Sequence, residues 1–130
     1  MPPFTFATTP TIVFGAGKAG EIGAIAAASL GPRVLVVTDR GLVPAGLLAP
    51  VLASLAAAGL AAAVHDAVEA DPKEATVLAA ADTARAHGAT GVIGFGGGSS
   101  MDVAKLAALL AMGRERLADI YGIGNAKGPR

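Results

Sequence analysis

The chain has 130 residues, of which 53% are hydrophobic and 15% charged, with no cysteine and no tryptophan. That length and apolar content suit one domain with a substantial core and exclude a disordered chain. Ten basic residues balance ten acidic ones, so nothing points to nucleic acid or an acidic membrane; the absence of cysteine excludes disulfides, thiolate metal sites and thiol catalysis, in keeping with a reducing cytoplasm.

In chain order, Met1-Pro2-Pro3-Phe4 lacks the basic start and apolar core of a signal peptide. Phe4–Phe6 and Thr11–Phe14 read as short strands joined by a turn at Thr8-Thr9-Pro10, forming a short N-terminal β-hairpin. Gly17 to Leu30 reads as a helix stopped by Gly31-Pro32. Arg33–Thr38 is a continuous β-branched run of the kind buried on both faces of a sheet. A helix from about Pro44 to Ala58 ends at Gly59, and Leu60–His65 forms the next strand. The uncharged stretch Gly41 to Val64 is long enough to span a bilayer, but Pro44, Pro50 and Gly59 interrupt it and no aromatic or basic belt flanks it. A polar loop, Asp66–Pro72, leads to a helix from Lys73 to His87 closed by Gly88; Gly91–Phe95 is a further strand, and Ser99–Met112 its helix. Strands alternating with helices of this length require parallel pairing, which predicts an α/β, Rossmann-like, open and mainly parallel sheet flanked by helices. No repeat or linker divides residues 1–130, and the tail from Ile120 to Arg130 has loop chemistry.

Two glycine turns compete as phosphate cradles. Gly15-Ala16-Gly17-Lys18-Ala19-Gly20 matches G-x-G-x-x-G after the strand-like Thr11–Phe14, and Asp39 lies nineteen residues beyond Gly20, the spacing of a dinucleotide fingerprint. The pattern is loosely constrained in a chain with 18 glycines, and a tight strand-to-helix turn accounts for it equally well. Gly96-Gly97-Gly98-Ser99 follows a better buried strand and opens a helix, whose unpaired N–H groups and positive dipole end attract an anion.

The run Gly96-Gly97-Gly98-Ser99-Ser100-Met101-Asp102-Val103-Ala104-Lys105 resembles the G-G-G-S-x-x-D-x-A-K signature of iron-containing (group III) alcohol dehydrogenases. Ile12–Gly17, Val36–Asp39, Gly88–Ile93 and the stretch around Asp119–Gly122 match the same family, so the resemblance spans nearly the whole chain. Glycerol dehydrogenases and dehydroquinate-synthase-like enzymes share the architecture.

The resemblance implies that the diphosphate of NAD(P) sits on Gly96, Gly97, Gly98 and Ser99 and that Asp39 faces the adenosine ribose. A carboxylate there accepts both ribose hydroxyls and repels a 2′-phosphate, which favours NAD over NADP. Asp102 has two readings, a group near the reactive end of the cofactor or the partner of Ser99 in an S-x-x-D capping box; Lys105 is placed to pair with Asp102. Relatives carry a glycine and an asparagine where this chain has Ala67 and Asp71, and Asp71 reads as a helix N-cap. His65 ends a strand and His87 a helix, so neither suggests a metal site.

In the family, hydride transfer occurs beside iron or zinc held by an aspartate and three histidines in a helical second domain, after a P-T-T-x-G-T-G-S-E segment. Neither is found in this sequence. The expectation is therefore the cofactor-binding domain of an NAD-dependent dehydrogenase acting on a small alcohol or its carbonyl partner, inactive alone, with Fe or Zn only in the missing domain. A homodimer is in keeping with the family. The alternative is a standalone nucleotide-binding module without catalysis.

Overall fold

A computed structural model describes Pro3 and residues 8–128. After a 3-10 turn at Lys18–Glu21 come α1 (Ile22–Ser29), β1 (Arg33–Asp39), α2 (Leu48–Ala57), β2 (Ala61–Val68), α3 (Glu74–His87), β3 (Gly91–Phe95) and α4 (Gly98–Met112), then a 3-10 turn at Leu117–Asp119. The strands form one parallel sheet in the order β2-β1-β3. The Rossmann-like α/β expectation holds.

β1 is central because its sequence leaves it no wet face. Val34, Leu35, Val36 and Val37 are all fully buried. Successive side chains of a strand point to opposite faces, so Val34 and Val36 join a core with Ala26, Val51 and Leu55 of α1 and α2. Leu35 and Val37 join a second core with Val77, Ala80 and Ala84 of α3 and Val103, Ala107 and Leu110 of α4. The crossover through α2 thus covers one face and the crossover through α3 the other. They run to opposite sides of β1, as a common handedness requires.

Several boundaries differ from those predicted. Thr11–Phe14 forms no strand: Ile12, Val13 and Phe14 are 77%, 53% and 97% exposed. β-branched residues favour a strand only where the backbone finds a ladder, and among the described residues this segment finds none. Phe4–Phe6, the other arm of the expected hairpin, lies outside the described residues. α2 begins at Leu48 rather than near Pro44, because Gly46 takes φ +73° and donates to Val43 O at 3.0 Å, closing a turn first. Pro50 sits in the first helical turn, where a missing N–H costs no helical bond. β2 runs to Val68, past the expected end at His65, through an irregularity in which His65 pairs with Val37 but Val68 with Asp39. No helix among the described residues is long and apolar enough to cross a membrane.

Close approach of helices to the sheet and to each other is bought with small residues. Gly94 lets α4 lie on β3, since a Cβ there would stand 3.0 Å from Met101 Cα. At Gly23 a Cβ would stand 2.0 Å from the Ser54 carbonyl oxygen, and the Gly23 amide donates to Ser54 Oγ at 3.0 Å. Gly23→Ala is accordingly expected to force α1 off α2 and to destabilise the chain by about 3 kcal/mol or more, read as a fall in the urea midpoint. An unchanged midpoint would show that the α1–α2 contact is not held this closely.

Candidate functional site

The order β2-β1-β3 creates a point where neighbouring strands send their chains to opposite faces. β1 leads into α2 on one side of the sheet, and β3 leads into α4 on the other. Such a switch opens a crevice beyond the carboxyl ends of the two strands. Here the crevice is a cleft of about 410 Å³ lined by Asp39, Arg40, Gly41, Val68, Glu69 and Ala70 on one side and Gly97, Gly98, Ser99 and Ser100 on the other.

Asp39 is the last residue of β1, and its Oδ1 accepts a hydrogen bond from the Gly41 amide at 2.9 Å. That bond fixes the carboxylate as an Asx turn and leaves Oδ2 on the side of Gly96, 3.0 Å from where a Cβ of Gly96 would lie. Gly96 takes φ +139°, a backbone conformation that a side chain strains. Gly97 is the N-cap of α4 with extended backbone and no side-chain cap, so the first-turn amides of a fifteen-residue helix are not closed off by a capping side chain. A Cβ built on Gly97 or Gly98 would meet nothing within 4 Å. The surrounding fold therefore does not require those two positions to be bare.

Asp39, Gly97, Gly98 and Ser99 therefore meet around one cleft, with Gly96 behind them. Ser99 does not cap α4. The helix starts one residue earlier than predicted, so Ser99 is its second residue and the capping box with Asp102 does not form. Asp102 does not line the cleft; it is exposed and paired with Lys105 at 3.3 Å. Asp71 is not an N-cap either: it takes φ +50°, and Lys73 holds that position for α3.

Sequence reasoning missed Glu69. Its Oε1 accepts the Lys73 amide at 3.2 Å and the Thr76 hydroxyl at 2.7 Å, so a residue from the preceding loop caps α3. The Thr76 hydroxyl, then the Lys73 amide, hold the Glu69 carboxyl below its ordinary range. The signal in the sequence is faint, a glutamate with a threonine seven residues on. The Gly15–Gly20 turn reaches the same edge of the sheet, where Lys18 and Ala19 border a separate hollow of about 250 Å³ with Gly94 and Phe95. Asp39 does not line that hollow.

Three buried side-chain polar atoms among the described residues lack a hydrogen-bond partner: Thr38 Oγ1, His65 Nε2 and Ser100 Oγ. All belong to the elements converging on this edge. Burial lowers the pKa of His65 below 6.5, against the opposing pull of Asp66 and Glu69. The unfolded chain then takes up the proton before the folded one, so stability present above 6.5 is lost as pH falls through the folded value. Resistance of the wild type to urea should fall between pH 7.5 and pH 5.5, and His65→Leu should reduce that fall; equal pH dependence of the two chains would exclude His65 as its source.

The chain matches the family described as iron-containing alcohol dehydrogenase over residues 9–130. It is 30% identical over 126 residues to sulfoacetaldehyde reductase of Bilophila wadsworthia, covering 97% of this chain and 33% of that protein. It superposes on NADH-dependent butanol dehydrogenase A of Thermotoga maritima with a TM-score of 0.85 at 29% identity, covering 93% of this chain and 31% of the other. The sulfoacetaldehyde reductase of Bifidobacterium kashiwanohense, solved in complex with NAD+, gives a TM-score of 0.78 at 31% identity, over 95% of this chain and 32% of that one. The matched region spans 20 to 33% of the length of these and similar curated relatives.

Proposed function

This chain belongs to the iron-containing alcohol dehydrogenase family, and from that membership we propose that its cleft holds the adenosine diphosphate part of NAD. The observation that carries the proposal is the meeting, on one cleft, of a fixed carboxylate at the end of β1 and an uncapped, side-chain-free helix start after β3.

Each residue has a separate task. The amides at the start of α4 offer hydrogen bonds and a positive dipole end to the diphosphate, with Gly97 and Gly98 leaving room for close approach and Ser99 adding a hydroxyl. Asp39 accepts the adenosine ribose hydroxyls, and its charge, with that of Glu69 on the same side of the cleft, opposes a 2′-phosphate. Asp102, one turn farther along α4 and outside the cleft, is assigned to the end of the cofactor remote from adenosine. When bound, NAD supplies a hydride acceptor, which suits the interconversion of a small alcohol and its aldehyde or ketone.

The metal is a different matter. Among the described residues no three His, Cys, Asp or Glu side chains stand together to hold an ion. The described residues do not fit iron. The proposal is a cofactor-binding portion that does not turn over alcohol by itself.

Calorimetric titration of the chain with NAD+ and NADP+ tests this reading. Removing hydrogen bonds to a charged acceptor costs about tenfold in affinity, so Asp39→Ala should weaken NAD+ by roughly that factor and narrow the preference over NADP+. Unchanged binding by this variant would remove Asp39 from the site. Gly97→Val supplies an independent check, because its side chain enters space empty of protein. Its melting temperature should match the wild type while NAD+ binding disappears; retained binding would place the diphosphate elsewhere.

A further inference from the structure

Gly96 separates two polar atoms whose relation the cofactor contacts alone do not explain. A Cβ at this position would lie 3.0 Å from Asp39 Oδ2 and 3.0 Å from Ser100 Oγ. The two oxygens thus face the same bare Cα and stand no farther apart than twice that distance. Ser100 is 1% exposed and its hydroxyl has no hydrogen-bond partner, although the residue borders the cleft. Buried hydroxyls are rarely left this way, because burial strips their water and nothing replaces it.

Two carboxylates line the cleft, and only one is open to Ser100. Glu69 already accepts the Lys73 amide and the Thr76 hydroxyl. Asp39 has Oδ1 occupied by the Gly41 amide, with Oδ2 turned toward Gly96. Ser100 is also held on a firm mount. It is the third residue of α4, and that helix lies against β3 so closely that a Cβ at Gly94 would stand 3.4 Å from the Ser100 carbonyl oxygen.

We propose that Ser100 is a positioning residue for Asp39. When nucleotide enters the cleft, the Ser100 hydroxyl donates to Asp39 Oδ2, so that both carboxylate oxygens are fixed and their remaining lone pairs point at the adenosine ribose. The proposal rests on the reading of the cleft as an NAD site. It also gives Gly96 a second reason to be glycine: any side chain there would wedge between the two oxygens. Support from a neighbouring hydrogen bond is the usual means by which a binding carboxylate keeps its direction.

Ser100→Ala removes the hydroxyl and little volume. Since that hydroxyl has no partner in the free chain, the melting temperature should be unchanged or slightly raised. Affinity for NAD+, measured by calorimetry, should fall about fivefold, as expected for one charge-assisted hydrogen bond acting through Asp39. Binding of inorganic diphosphate, which has no ribose, should stay the same. In an Asp39→Ala background Ser100→Ala should have no further effect on NAD+. Unchanged NAD+ affinity in Ser100→Ala overturns the proposal, and so does an equal loss in the Asp39→Ala background, which would mean direct contact with the nucleotide. If the wild-type chain binds no NAD+, the reading of the cleft itself falls, and this inference with it. Should Ser100→Ala fail to fold, Ser100→Cys, of similar size and with a weaker donor, is expected to give the same order of effects.

Discussion

Strand β1 is sealed on both faces, with Val34, Leu35, Val36 and Val37 all at 0% exposure, and the rest of the molecule is arranged by that constraint. Full burial of one such side chain is worth about 1.5–3 kcal/mol. The Lys18–Glu21, Arg85–Asp82, Lys105–Asp102 and Arg116–Asp119 pairs are solvent-exposed contacts three residues apart, and screened pairs of that kind contribute little. The fold is therefore decided in the sheet. A strand with no wet face needs helices on both sides and a partner strand on both edges. The chain meets all four demands with β2, β3 and two pairs of helices.

The position of the cleft follows from the same demands. Because β1 is flanked by strands that come after it on either side, the chain must leave the carboxyl ends of β1 and β3 toward opposite faces. The crevice between those exits is a product of topology before any residue of the site is specified. What the local sequence adds is chemistry on the two lips. Asp39 extends β1 by a single acidic residue, locked by Gly41, while three glycines after β3 keep the start of α4 bare. The polar atoms left without partners at this edge, Ser100 Oγ among them, stand where the hydrophobic core gives way to the cleft.

Much of this was legible in the sequence because long apolar runs leave few alternatives. Arg33–Thr38 could be little other than a buried strand, and the helices ending at Gly31, Gly59 and Gly88 stop where their glycines take positive φ. The errors lie where one local preference faced a tertiary condition that the sequence does not state. Thr11–Phe14 has strand-like residues but no ladder among the described residues. Ser99 has the spacing of a capping residue, yet Gly97 begins the helix earlier, because an extended glycine there brings the chain onto α4 sooner. Asp71 has the chemistry of an N-cap, but Glu69 reaches over it to the Lys73 amide and Thr76. In the last two cases a suitable residue was displaced by another that the fold brought closer.

The two glycine turns show how much a motif depends on its surroundings. Gly15–Gly20 satisfies the generic dinucleotide spacing, with Asp39 at the expected distance in sequence, and Gly17 takes φ +80° as a tight turn requires. Yet the segment before it is no strand of the sheet, and the turn borders a hollow that excludes Asp39. Gly96–Ser99 departs from the generic spacing but follows β3, which is hydrogen-bonded to β1. A phosphate cradle works when its amides and the ribose-binding carboxylate stand on neighbouring strands, since the separation of those strands then matches the separation of the two ligand groups. Thr38 pairs with Phe95 across β1 and β3, which sets Asp39 beside Gly96 by ladder register. That register, rather than the count of residues between glycines and aspartate, is what brings one of the two turns beside Asp39.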